Sequence, residues 1–180
     1  ESHIFWPQVN QTPKVLDQLL DGYDSIVDFP GCLHLKTLLN HYPNAKVILT
    51  LRSAEQWYES ALETIINPYQ VIDYMFKRGI RVPFSSRERS SMRMYIYMRK
   101  RIHEALYQNN YPSKAQAIAS YKRHIDYVQK LVPENQLLSY EITTGWQPLC
   151  EFLELDIPSS TFPNTNPRSH YQQLLKRFSS

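Results

Sequence analysis

Two residues eight positions apart, Arg52 and Ser60, carry the clearest chemical signal in the sequence. Arg52 follows a short apolar run, Val47-Ile48-Leu49-Thr50-Leu51, and Ser53 and Gln56 stand where a helix would begin. An arginine at the carboxyl end of a strand, beside the unpaired N–H groups of a helix start, is placed to hold an anion. Ser60 falls about two turns into that helix. A charged fork and a neutral hydroxyl could then grip one phosphate together. An ordinary strand–helix unit with a surface arginine has the same local pattern, and geometry alone leaves both readings open.

Positioning these groups takes a strand, a sharp turn and an amphipathic helix, and KVILTLRSAEQWYES (46–60) supplies all three. The run 47–51 reads as a parallel strand covered on both faces. Ser53 with Gln56 three positions later forms a capping-box pattern. Upstream, Thr12-Pro13 starts a helix with Val15, Leu16, Leu19 and Leu20 on its apolar face, ended by Gly22. Residues 25–29 are predicted as a strand closing on Asp28-Phe29-Pro30-Gly31, followed by a helix over about 32–41 that Pro43 stops. Downstream, 68–91 reads as a loop between helices, 92–107 and 113–132 as helices, and 137–140 as a third short strand. A helix over 146–155, an irregular segment 158–167 and a helix over 170–178 complete the chain. Strand and helix alternate, which implies an α/β fold with a parallel sheet and right-handed crossovers.

A chain of 180 residues can bury the core of one domain. Its 42% hydrophobic and 21% charged content are globular values, which sets disorder aside. The net charge of +3 is mild, but nine of the twenty basic residues lie between Lys77 and Arg101 against one acid, Glu88. Such a run is a solvated face or an attractor for an anionic ligand, and less readily for nucleic acid. Cys32 and Cys150 sit in apolar helical patterns and read as reduced core residues, and no metal-ligand spacing is present. No stretch approaches the roughly 20 apolar residues of a membrane span, and no signal peptide opens the sequence, which starts Glu1-Ser2-His3 without Met. These features point to a soluble, cytoplasmic setting.

The spacing of Arg52 and Ser60 after a strand resembles the 3′-phosphate-binding segment of sulfotransferases that use 3′-phosphoadenosine 5′-phosphosulfate (PAPS). YDSIVDFPGCLHLKTLLNHYPNAKVILTLRSAEQWYES is similar to the sulfotransferase family of bacteria, fungi and invertebrates, with its D-W/F-P, YP-x-AK and LT-x-R-x4-WY-x-S elements. LLSYEITTGWQPLCEFLELDIPSSTFPNTN adds a strand-end Tyr, GW-x-PLC-x-FL and FP-x-x-N. The two blocks span Tyr23 to Asn166 in the family's order, with a less similar middle.

The resemblance implies a P-loop NTPase-like three-layer fold, a central parallel sheet flanked by helices, as a single sulfotransferase domain over 1–180. It implies PAPS as co-substrate, adenosine 3′,5′-bisphosphate (PAP) as product and no metal. It places Arg52 and Ser60 on the 3′-phosphate and Tyr140 near the adenine, where a plain core tyrosine is the rival reading. Asn166, in the FP-x-x-N element, either closes over the nucleotide or caps the last helix. Asp28 stands where animal cytosolic sulfotransferases carry a catalytic His, 24 residues before Arg52. A carboxylate there could accept the acceptor's proton, with burial raising its pKa toward a useful range; the rival is an Asp that merely caps the Pro30 turn. His34 and His124 are candidates for the acceptor cleft, and Tyr69, Tyr74, Phe76, Phe84 and Tyr95 for its walls. The expected partner is a small-molecule acceptor with a hydroxyl or amine. Neither nucleic acid nor a membrane is expected, and a homodimer is compatible with the sequence.

Sulfotransferases hold the 5′-phosphosulfate with a Gly-rich loop after the first strand, because close approach of backbone N–H groups to phosphate needs glycine. Gly22, Gly31, Gly79 and Gly145 are the only glycines, and no two are close. The resemblance therefore places that strand–loop–helix upstream of Glu1. A P-loop nucleotide kinase, and a non-catalytic nucleotide-binding or scaffold protein without the loop, are the two rival readings. The Arg52–Ser60 element favours PAPS over the first.

Overall fold

The parallel pairing of two short strands anchors the site-bearing part of the molecule in the computed structural model, which describes residues 6–66, 86–107 and 112–163. Strand β1 (Val47–Leu51) pairs with β2 (Leu137–Glu141) from Val47 opposite Leu137 to Leu51 opposite Glu141. With helices before and after each strand, the class is α/β with a small parallel sheet. The chain divides into two compact units, Glu1–Ala45 with Arg81–Ser120, and Lys46–Ile80 with Tyr121–Ser180.

In the first unit, α1 (Val15–Leu19) turns Val15 and Leu16 inward, where they meet Trp6, Val9 and Leu38. The helix is shorter than Thr12-Pro13 suggested, because 12–14 form a tighter turn with Val15 N–H donating to Thr12 C=O at 3.0 Å. Gly22 leaves at φ 75°, as expected of a helix-ending glycine. The strand expected over 25–29 does not form. Among the described residues the sheet has two strands only, so this stretch has no ladder to join, and Asp28 turns into the left-handed region at φ 57°. The chain then makes one 3₁₀ turn, Gly31–His34, before α2 (Leu35–His41). Helix α4 (Ser86–Tyr107), also in this unit, starts six residues before the expected 92. Serines followed by Arg and Glu suit a helix start as well as a loop.

In the second unit, β1 leads to α3 (Ala54–Ala61), which widens into a π-type turn over Leu62–Ile66. The expectation that β1 is covered on both faces is corrected. Its exposure alternates and Ile48 is 38% exposed, the pattern of a strand with one packed face. Helix α5 (Lys114–Leu131) begins in the first unit and enters the second at Tyr121. It opens on a reciprocal capping box: Gln116 N–H donates to Ser113 Oγ at 3.3 Å, and Ser113 N–H to Gln116 Oε1 at 2.9 Å. After β2, α6 (Trp146–Leu153) ends with Glu154 at φ 60°, and Leu155 N–H reaches back to Cys150 C=O at 2.9 Å. Lys46 Nζ, at the entry to β1, donates to Phe152 C=O at 2.7 Å and to Glu154 Oε1 at 2.6 Å. That ammonium sits where the helix dipole and the last carbonyls favour a cation. Among the described residues no helix is long and apolar enough to cross a membrane.

Candidate functional site

Arg52 is exposed and immediately follows the last residue of β1. Ser53 is extended (φ −59°, ψ 146°), and its Oγ accepts from the Gln56 N–H at 3.2 Å, the cap that the Ser53–Gln56 spacing predicts. The first turn of α3 therefore opens beside Arg52 with its partial positive charge, and Ser60 lies half-buried near the other end of the same helix.

The main chain of Arg52 is held by a side chain from far along the sequence. Tyr121 Oη donates to the Arg52 C=O at 3.0 Å and accepts from the Arg52 N–H at 3.2 Å. The Tyr121 ring is buried and stacks on Trp57 of α3, with centroids 4.7 Å apart and planes 13° from parallel. Trp57 thus packs against α5. Tyr121 was not visible as a site residue. Its only signal is a place beside Ala117 and Val128 on the buried stripe of α5, and the sequence holds thirteen tyrosines.

Because Leu51 pairs with Glu141, the Arg52 turn and Tyr140 lie at the carboxyl ends of adjacent parallel strands, the position where open α/β sheets bind ligands. Tyr140 is buried, and its hydroxyl donates to the Gly145 C=O at 2.7 Å. Its ring is tilted toward Phe162, which in turn meets Trp146 edge-on at 4.7 Å. Trp146 Nε1 donates to Ser160 C=O at 2.9 Å, fastening the segment after α6. Glu141 is exposed. His124, half-buried on α5, has its pKa held below the usual imidazole value by burial.

Asp28 and His34 belong to the first unit. Asp28 is exposed, where the sequence reading placed it in a buried setting. Its carbonyl, not its carboxylate, receives the Cys32 N–H at 3.1 Å, and no side chain caps the Gly31–His34 turn. His34 is 3% exposed, stacked on Trp6 at 5.5 Å. Its Nδ1 bonds Asn10 Oδ1 at 2.9 Å, and that oxygen also accepts from Thr37 Oγ1 at 2.9 Å. With Nδ1 carrying the proton, Nε2 is a bare acceptor, buried without a partner. Burial, with the charge of Arg101 second, lowers the His34 pKa. Cys32 and Cys150 are free thiols, as expected; burial and then the charge of Asp28 push Cys32 up to about 12, which removes it as a nucleophile.

A family model described as a sulfotransferase domain matches residues 5–171. The chain belongs to the sulfotransferase-domain family. A curated relative, Ava biosynthesis cluster protein M of Aspergillus versicolor, is 36% identical over 174 residues, which cover 92% of this chain and 64% of the relative. The chain thus spans less than two thirds of that relative's length.

Within this sulfotransferase domain, the described residues bring Arg52, Ser60, Tyr140 and His124 into the second unit, and leave Asp28 and His34 in the first. Tyr69, Tyr74, Phe76, Phe84 and Asn166, and the helix expected over 170–178, lie outside the described residues. Tyr95 is on α4, but its side chain also lies outside the described set.

Proposed function

We propose that this sulfotransferase-domain protein transfers a sulfuryl group from PAPS to a hydroxyl or amine of a small-molecule acceptor. The observation that carries the reading is an exposed Arg52 at the carboxyl end of a parallel strand, directly before a Ser-capped helix. A guanidinium, a helix N-terminus and the Ser60 hydroxyl suit a phosphate dianion, and so suit the 3′-phosphate that distinguishes PAPS from other adenine nucleotides. In this reading β1 and β2 are part of a larger P-loop-like sheet. The relative's description as a biosynthesis cluster protein is in keeping with a small-molecule acceptor.

In the reaction, the acceptor oxygen or nitrogen bonds to sulfur while the bond from sulfur to the 5′-phosphate oxygen breaks. The electron pair leaves with PAP, and the acceptor's proton passes to a base. We assign the base to Asp28, whose carboxylate is exposed and makes no cap at its own turn. Arg52 and Ser60 hold the donor in line by its 3′-phosphate. Tyr140 and His124 lie on β2 and α5 of the same unit as that grip. Tyr140 serves the adenine side through its ring, its hydroxyl being committed to Gly145. His124 and the aromatic residues expected in 69–95 contact the acceptor.

The test is thermal unfolding of the full-length protein with PAP and with 5′-AMP. A ligand at a hundred times its Kd stabilises the folded state by about 2.7 kcal/mol. Stabilisation by PAP well above that by 5′-AMP, lost in Arg52→Ala, is the expected result. Equal response to the two nucleotides would remove the 3′-phosphate assignment.

A further inference from the structure

Arg52 occupies a position where neither regular element supplies main-chain partners. The β1–β2 ladder ends at Leu51, and the helix that follows does not begin until Ala54. A residue in such a gap keeps its N–H and C=O for water unless a side chain takes them. The Tyr121 hydroxyl takes both, donating at 3.0 Å and accepting at 3.2 Å. A phenol can fill both roles at once, and here it acts as one further rung of the ladder. Fixing both groups fixes the peptide planes on either side of Arg52, and hence the direction of its Cα–Cβ bond. The same phenol ring lies flat on Trp57, four residues into the capped helix start, and Tyr121 is only 8% exposed. One side chain thus ties the turn that carries the guanidinium to the helix whose N–H groups share the anion.

We infer that Tyr121 is a positioning residue that aims Arg52 at the 3′-phosphate. The inference rests on the assignment of Arg52 proposed above. A long, freely rotating arginine loses affinity by scattering over many directions, and a fixed backbone at its root reduces that loss.

Tyr121→Phe in the full-length protein removes both hydrogen bonds and keeps the ring on Trp57. Calorimetric titration with PAP and with 5′-AMP reads the preference for the 3′-phosphate directly. The variant is expected to bind PAP about five- to tenfold more weakly, the scale of one weakened charge-assisted hydrogen bond, with 5′-AMP affinity unchanged. In the Arg52→Ala background the same substitution is expected to change neither affinity, since the group being aimed is gone. A purely structural tyrosine would instead lower both affinities alike, in both backgrounds. Wild-type protein that prefers PAP, with the preference intact in Tyr121→Phe, overturns the positioning role and leaves the nucleotide assignment standing. Wild-type protein with no preference overturns the nucleotide assignment first, and this inference with it. Hydrogen exchange on the wild-type protein needs no variant: the Arg52 amide is expected to be protected without ligand, and exchange at the rate of an open loop overturns the clasp.

Discussion

Tyr140→Phe separates two uses of one tyrosine. The substitution deletes only the hydroxyl, which donates to the Gly145 C=O at 2.7 Å. Gly145 leads into α6 at φ 70°, ψ −155°, a conformation nearly restricted to glycine, so the hydroxyl fastens the freest joint between β2 and α6. Gly145 is half-buried, and water can replace part of what is lost. The net cost is therefore about 1 kcal/mol, in the middle of the range for a neutral hydrogen bond. For a protein of this size that lowers Tm by about 2–4 °C. The ring stays buried and close to Phe162, so its service to the adenine persists. Thermal unfolding with and without PAP measures both quantities on one sample. The expected result is a lower Tm without ligand and an unchanged rise on adding PAP. An unchanged Tm without ligand, together with a smaller PAP-induced rise, would refute the argument, because the hydroxyl would then serve the nucleotide and not Gly145.

Gly145→Ala meets no atom within 4 Å of the new methyl group, so its cost is conformational alone. It is expected at about 1–3 kcal/mol, read as a lower urea midpoint with an unchanged m-value. Stability is also expected to fall as the pH drops below 6.5, the ordinary imidazole value, because His34 has a lowered pKa in the folded protein. In that window the unfolded chain binds more protons, so folding weakens as pH decreases until the folded pKa is passed. Urea unfolding at several pH values checks it. His34→Gln is expected to reduce the slope without abolishing it, since His124 is shifted in the same direction.

What the sequence revealed follows how far each signal reaches. The step from β1 through Ser53 to α3 was legible because a β-branched run, a cap and its partner three residues later are all local. The turn at Gly22 and the strand ending in Tyr140 were legible for the same reason. The stretch 25–29 has strand-like residues, but a strand is defined by its neighbour, and composition does not say whether one is present. The exposure of Ile48 is not legible in the run 47–51, because an apolar run does not state how many layers enclose its strand. Tyr121 stayed hidden because its role rests on a hydrogen bond across 69 positions of sequence. The reduced, buried Cys150 needed only its helical apolar context.

The ties at both ends of β1 share one property: all of them come from the later half of the chain. Lys46 reaches partners 106 and 108 positions ahead, and Arg52 is clasped from 69 positions ahead. During synthesis the strand therefore leaves the ribosome long before β2, α5 or α6 exist to receive it. Contacts this distant in sequence form slowly, because a large loop must close before any of them is gained. Until then the edge of β1 that β2 covers in the finished protein is open to pairing with another chain. Any shortened product ending before Leu137 keeps that edge and loses the only strand that covers it among the described residues. Such fragments are expected to be captured by chaperones or to aggregate, whatever chemistry the Arg52 turn performs in the finished protein.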